Sequence, residues 1–149
     1  MTVQTLIQSL VFAAYIGYVW GRFGVLDSIS ASYYKLRENH NWLFWAFTIA
    51  LSVPMLTYGD GWYFGSAAFL IFCGTASDYK KPMTGTVHYI GASGAIGLAA
   101  IGLLREGVWF PLVFGLLVSV PLSIFKVENR TWWIEIAWFV FLIIGFNFR

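Results

Sequence analysis

Long apolar runs separated by short polar breaks make up most of this chain. Each run is continuously apolar instead of alternating with polar residues, which is typical of helices and not of strands. A helix of about 20 residues crosses the hydrocarbon core of a bilayer. The pattern therefore predicts an all-α fold, an integral membrane bundle of six transmembrane helices forming one domain over residues 1–149. The predicted helices cover residues 5–25, 42–58, 62–76, 87–104, 108–125 and 132–148.

The composition supports a membrane location. Of the 149 residues, 59% are hydrophobic and only 11% are charged, whereas a soluble domain carries about 25% charged residues. The basic residues are scattered between the apolar runs, which argues against a nucleic-acid partner. The lipid bilayer is therefore the first predicted partner.

The positions of lysine and arginine predict the orientation. Seven lie in the connections after the first, third and fifth runs, and two lie on the other side. Since cytoplasmic loops are enriched in these residues, the first, third and fifth loops are predicted to be cytoplasmic and both termini to lie outside. The seven are Arg22, Lys35, Arg37, Lys80, Lys81, Lys126 and Arg130, and the two are Arg105 and Arg149.

Glycines predict both the turns and the centre of the bundle. Gly59 and Gly107 lie in very short breaks, where a residue that tolerates positive φ favours a tight helical hairpin. In the fourth run, Gly91, Ala95 and Ala99 recur every four residues. Small residues let helix backbones approach closely in lipid. The fourth helix is therefore predicted to lie at the centre, and any small-residue face left unburied would allow oligomers to form.

Four polar residues are the candidates for a site: Ser30, Asp78, His88 and Glu135. All lie at the end of the bundle that carries the basic loops. Asp78 and His88 flank one turn, so they would form either an acid–base or metal-binding pair, or a structural pair that ties two helix ends together. A glutamate facing lipid is costly. Glu135 is therefore expected to face inward, toward Asp78, His88 or a serine of the first loop, or else to be favoured by the helix N-terminus.

Two short motifs carry a family resemblance. SISASYY precedes the second run and TVHYIGA opens the fourth. Over residues 28–98 the chain resembles small bacterial multi-pass membrane proteins of unknown function, which implies a bacterial inner membrane location. That group is remotely similar to the alkaline ceramidase and progestin-receptor-like (CREST) superfamily, whose hydrolases bind zinc. The resemblance implies roles for Ser30, Asp78 and His88, although this chain lacks the superfamily's third histidine and its histidine pair spaced by four.

Three functions stay open from the sequence, which also does not decide whether the protein is an enzyme. The first is a non-enzymatic protein that binds a lipid or a membrane-protein partner at the polar interface and needs no cofactor. The second is a membrane-embedded lipid hydrolase using Asp78, His88 and Glu135, with or without zinc. The third is a small transporter or channel, which would need polar residues across the bilayer depth. The candidates for that path are Thr48, Ser52, Ser66, Ser93 and Ser119.

Overall fold

The computed structural model describes residues 2–36, 40–78 and 80–149, and within these ranges the chain is helical with no strand. Arg37, one of the residues used to predict the orientation, lies outside the described residues. The helices are α1 (Val3–Phe23), α2 (Ser32–Lys35), α3 (Trp42–Leu56), α4 (Gly61–Thr75), α5 (Pro82–Arg105), α6 (Phe110–Ile124) and α7 (Arg130–Gly145).

The prediction of an all-α fold is confirmed, with two local differences. Each apolar run forms one long helix, and α2 is an additional single turn in the first loop that the hydropathy pattern does not show. Helix α5 begins at Pro82, five residues before the predicted start at position 87. Proline is favoured at the first helical position because its missing N–H has no partner there in any case. His88 therefore lies nearly two turns inside α5.

Helix length separates two of the six long helices from the others. Helices α1 and α5, with 21 and 24 residues, are long and apolar enough to cross a membrane. The remaining long helices contain 15 or 16 residues, a length of roughly 22–24 Å against a hydrocarbon core of about 30 Å. The part of the chain that the structure describes thus contains two helices that are candidates for crossing a membrane.

Close contact between α4 and α5 is the dominant packing feature. A Cβ placed on Gly91 would lie 2.7 Å from the backbone nitrogen of Cys73 and 2.8 Å from the carbonyl oxygen of Phe69. Helix α4 packs on its other side against α3, and α6 pairs mainly with α7. Gly59 and Gly107 adopt φ values of +76° and +81°, as the turn prediction requires. The small residue at position 91 thus lets the backbones of α4 and α5 approach closely.

The connections form two groups at opposite ends of the helices. At one end, the Tyr34 hydroxyl of the first loop donates to Asp78 of the third at 2.8 Å. At the other end, Thr5 donates to Asn147 at 2.7 Å. The loops that follow α1, α4 and α6 therefore share one end with the start of α7, and Lys80, Lys81 and most other basic residues lie exposed there.

A buried polar contact that the sequence analysis did not predict lies near the end of the bundle opposite the basic loops. Gln8 is 2% exposed, donates its amide to the Leu51 carbonyl oxygen at 3.0 Å and accepts a hydrogen bond from the Tyr58 hydroxyl at 3.0 Å. Because a buried amide must be hydrogen-bonded, Gln8 ties α1 to α3 and to the turn that follows α3. Because Gln8 lies inside an apolar run, the sequence does not show that it links these helices.

Candidate functional site

The imidazole of His88 is buried and held by hydrogen bonds on both sides. Its Nδ1 lies 2.9 Å from the carbonyl oxygen of Cys73, and its Nε2 lies 2.8 Å from Ser30 Oγ. A carbonyl oxygen only accepts, so Nδ1 carries the proton. In the neutral ring Nε2 is then an acceptor and the Ser30 hydroxyl donates to it. The packing of α4 against α5 therefore holds the orientation of the ring.

Local hydrogen bonds hold Ser30 in place within a short turn after α1. The backbone N–H of Ala31 donates to Ser28 Oγ at 3.0 Å. Ser32 Oγ donates to the Ile29 carbonyl oxygen at 2.5 Å and lies 2.6 Å from the Tyr15 hydroxyl. Short serine side chains close turns in this way. The SISAS segment thus forms a defined platform that presents Ser30 to His88.

Glu135 joins α7 to the same turn. It lies one and a half turns into α7 and accepts the backbone N–H of Ile29 at 2.5 Å through Oε2. The residue is only partly exposed. The expectation that Glu135 faces inward toward the first loop agrees with this contact, although the partner is a backbone N–H and not a serine hydroxyl.

Ser30, His88 and Glu135 line one cleft between the first loop, α5 and α7. Its volume is about 290 Å³. The wall combines hydroxyl groups, an imidazole and two carboxyl groups, whereas most of the bundle surface is apolar. The full lining is Asp27, Ser28, Ser30, His88, Tyr89, Ala92, Thr131 and Glu135. Three of the four candidate site residues are therefore brought together.

Asp78, the fourth candidate, takes part in a separate contact. Its carboxylate accepts a hydrogen bond from the Tyr34 hydroxyl and forms an ion pair with Lys81 Nζ, each at 2.8 Å. It does not line the cleft. The contacts of Asp78 are therefore with Tyr34, which links the first and third loops, and with Lys81 of its own loop, and the predicted pairing with His88 is not among them.

This link predicts a pH-dependent contribution to stability. The hydrogen bond from Lys81, followed by that from Tyr34, lowers the pKa of Asp78 below its ordinary value of 3.8. A carboxyl group whose pKa is depressed on folding stabilises the protein above its ordinary pKa, and this contribution is lost as the pH falls through the folded-state value. Wild type is therefore expected to melt at a higher temperature than Asp78→Asn at neutral pH, and the difference should vanish well below pH 3.8. Thermal unfolding of wild type and Asp78→Asn between neutral and acidic pH measures this difference in melting temperature. A difference that persists unchanged in acid would contradict the prediction.

The described residues do not fit a zinc centre built on Asp78 and His88. A catalytic zinc takes three protein ligands, and within residues 2–36, 40–78 and 80–149 no group of three His, Cys, Asp or Glu side chains is placed to hold a metal ion. Cys73 Sγ approaches the His88 ring to 3.6 and 3.7 Å at its two nitrogens. Cys73 is buried.

Four of the five residues named for a transport path form hydrogen bonds within or between helices. Thr48 and Ser52 donate their hydroxyls to carbonyl oxygens of α3 itself, and Ser66 donates to the Ala95 carbonyl oxygen of α5 at 2.6 Å. Ser93 is exposed, and Ser119 Oγ accepts the Trp138 Nε1–H at 3.0 Å. The Ser66 and Ser119 bonds join two helices, as interhelical hydrogen bonds do in lipid, whereas those of Thr48 and Ser52 stay within α3, so none of these four hydroxyls is evidence for a transport path.

No family model, curated protein or solved structure matches the chain. The geometry of the cleft is therefore the basis for a functional assignment.

Proposed function

We propose that this chain is a multi-pass integral membrane protein that binds an amphipathic lipid through the cleft formed by the first loop, α5 and α7. The observation that carries the proposal is the placement of Ser30, His88 and Glu135 in one cleft of about 290 Å³ at the end of an apolar bundle. Binding sites of this size commonly combine apolar walls with a few convergent polar groups.

Exposed apolar side chains support a membrane location. Helix α6 buries only Pro111 and Gly115, and its outward side chains are large and apolar. A soluble monomer rarely exposes an apolar patch of this extent. The short helices would be accommodated by local thinning of the bilayer. The exposed side chains of α6 include Val113, Phe114, Leu116, Leu117, Val120 and Ile124.

The orientation inferred from the basic residues is part of the proposal. The loops after α1, α4 and α6 are cytoplasmic, both termini lie outside, and by the family resemblance the membrane is a bacterial inner membrane. The test is labelling of single cysteines introduced at exposed Lys80 and at exposed Arg105, with Cys73→Ala as background. In intact cells, a membrane-impermeant maleimide should label the cysteine at position 105 and not that at position 80. The reverse pattern would overturn the orientation.

The charges in the cleft indicate the kind of headgroup. Asp27 and Glu135 are the ionisable acids of the wall, and no lysine or arginine is among the described residues that line it. A negatively charged headgroup would meet like charge there. Hydroxyl groups of Ser28, Ser30 and Thr131 would instead hydrogen-bond a neutral headgroup. We therefore propose a hydroxyl-bearing headgroup without negative charge, and a monoacylglycerol is a suitable probe.

Ser30→Ala is expected to weaken binding of a monoacylglycerol by roughly tenfold, since a lost hydrogen bond in a desolvated site is worth about 1–1.5 kcal/mol. The matched control is Ser93→Ala, because Ser93 lies exposed on α5 outside the cleft. Binding is measured in lipid nanodiscs by competition with a fluorescent monoacylglycerol. Equal affinity of wild type and Ser30→Ala, or capture of a protein partner with no lipid binding, would overturn the proposal.

The Ser30–His88 geometry favours ester hydrolysis as a second candidate function. A neutral imidazole that accepts from a serine hydroxyl can act as a general base, and its fixed Nδ1–H orients the ring. In this reaction Ser30 Oγ would attack the ester carbonyl carbon while its proton moves to Nε2. The alcohol would leave with that proton, and water would then release the acid. A fluorophosphonate probe should label wild type and not Ser30→Ala; no labelling and no ester turnover by the wild type would exclude this candidate.

A further inference from the structure

An open groove of about 410 Å³ lies between α1 and α3, and it shares no described lining residue with the cleft. Its floor contains the buried rings of Tyr15 and Phe47, which stack with centroids 4.1 Å apart. Ala14, Ala46 and Ala50 also line the groove, and their short side chains leave open the space that larger residues would fill. The volume lies within the range of ligand sites, about 300–1,000 Å³, so the groove can hold part of a lipid molecule.

The groove runs along the half of α1 that lies nearer the basic loops. It extends from Val11, near the middle of α1, to Tyr18, and seven residues of helix span roughly 10 Å at about 1.5 Å per residue. One leaflet contributes half of a hydrocarbon core of about 30 Å, so the groove covers about two thirds of that depth. No charged side chain is among the described residues that line it. An acyl chain of the leaflet at this end, which lies in the same direction, fits a groove of this length and polarity.

Arg22 follows the apolar wall of the groove on the same face of α1. Val11, Tyr15, Tyr18 and Arg22 are spaced by four, three and four residues, which is the spacing of one helix face. Arg22 is exposed, and within the described residues it forms no ion pair. Tyr18, one turn before it, is 47% exposed. A cation and a phenol group therefore lie at the basic end of an apolar groove, the level at which tyrosine meets lipid headgroups.

This charge distribution indicates which molecule covers the groove. Basic residues at the cytoplasmic surface attract anionic lipids, and a guanidinium group binds phosphate through two parallel hydrogen bonds. A second copy of the chain packed on the same face about a two-fold axis would bring two Arg22 side chains to the same depth. Like charges repel each other there, so a lipid fits this face better than a second copy.

We propose that the groove between α1 and α3 holds one acyl chain of an anionic phospholipid, whose phosphate group pairs with Arg22. This inference rests on the membrane location and orientation under the proposed function, and not on binding in the cleft. The two sites differ in charge, because the cleft carries the acids Asp27 and Glu135, whereas Arg22 is the charge beside the groove.

The test compares two lipids that differ only in headgroup. Detergent-solubilised protein is mixed with equal amounts of phosphatidylglycerol and phosphatidylcholine that carry the same tails, and native mass spectrometry counts the lipids bound to each protein. The wild type should prefer the anionic lipid. Arg22→Gln should reduce that preference roughly fivefold, since one basic residue near the membrane surface contributes about 1 kcal/mol. Arg130→Gln, which removes an exposed arginine at the same end of the bundle, should leave the preference unchanged.

A second pair of variants tests the groove itself. Ala14→Leu fills the groove and should remove the preference for the anionic lipid, because the displaced lipid no longer lies beside Arg22. Ala13→Leu adds the same bulk at an exposed neighbour that does not line the groove, and it should bind like the wild type. If melting temperatures show that Ala14→Leu does not fold, the comparison of Arg22→Gln with Arg130→Gln decides by itself.

Four results would overturn the inference. They are equal binding of the two lipids by the wild type, equal losses in Arg22→Gln and Arg130→Gln, equal losses in Ala14→Leu and Ala13→Leu, and a wild-type dimer that Ala14→Leu converts to monomer. The last result would assign the groove to a second copy. None of the four affects the monoacylglycerol assay with Ser30→Ala, so failure of the groove site and failure of the cleft are distinguishable.

Discussion

Gly91→Ala is expected to lower the free energy of unfolding by about 2 kcal/mol or more, because the added methyl group has no room. Its Cβ would lie 2.7 Å from the Cys73 nitrogen and 2.8 Å from the Phe69 carbonyl oxygen. Both atoms belong to the α4 backbone, so neither can move away by a side-chain rotation. The clash is relieved only if α4 and α5 move apart. That movement would also displace the Cys73 carbonyl oxygen that orients the His88 ring.

Gly97→Ala is the matched control for this substitution. Gly97 lies six residues further along α5, and a Cβ placed there meets nothing within 4 Å. Replacing glycine by alanine within a helix gains up to about 1 kcal/mol from backbone propensity, so this variant should be equally stable or more stable. Thermal unfolding in one detergent compares both with the wild type. Equal melting temperatures for Gly91→Ala and Gly97→Ala would refute the close approach of α4 and α5.

Glu135→Leu is expected to destabilise the turn that carries Ser30, by about 1–3 kcal/mol, because it leaves the Ile29 N–H without its acceptor. The side chain of Ile29 is 3% exposed and the hydrogen bond to Glu135 Oε2 measures 2.5 Å. Amide hydrogen exchange over residues 27–31 reports the opening of this turn. A cost in this range corresponds to exchange that is roughly five- to 150-fold faster.

Two further variants test the role assigned to Glu135. Glu135→Gln keeps an acceptor oxygen at the same distance along the side chain, so exchange over residues 27–31 should stay within a fewfold of wild type. Glu128→Leu removes an exposed acid of the preceding loop and should change nothing in that turn. Equal protection in Glu135→Leu and wild type would show that the contact does not hold the turn.

The candidate site was only partly predictable from the sequence. His88 and Glu135 were chosen because they are rare polar residues near the starts of apolar runs, and Ser30 was chosen through the resemblance that the SISASYY motif carries. Asp78 was chosen for its place in the turn before the fourth run and through the same resemblance, yet it lies outside the cleft, since nothing local in the sequence reveals Tyr34 as its partner. Gln8 was missed because a single glutamine inside an apolar run looks the same whether it faces lipid or the Tyr58 hydroxyl.

The sequence by itself was sufficient to predict the six long helices, but not the short α2 or the start of α5 at Pro82. Continuous hydropathy specifies helix, Gly59 and Gly107 supply positive φ at the turns, and small residues mark the face of α5 that packs closely. Only the tertiary structure decided which side chains meet. His88 is hydrogen-bonded to Ser30, which lies 58 positions away in the sequence. Glu135 accepts a hydrogen bond from Ile29, which lies 106 positions away. Such pairs depend on how whole helices pack, and helical periodicity constrains only neighbours three or four residues apart.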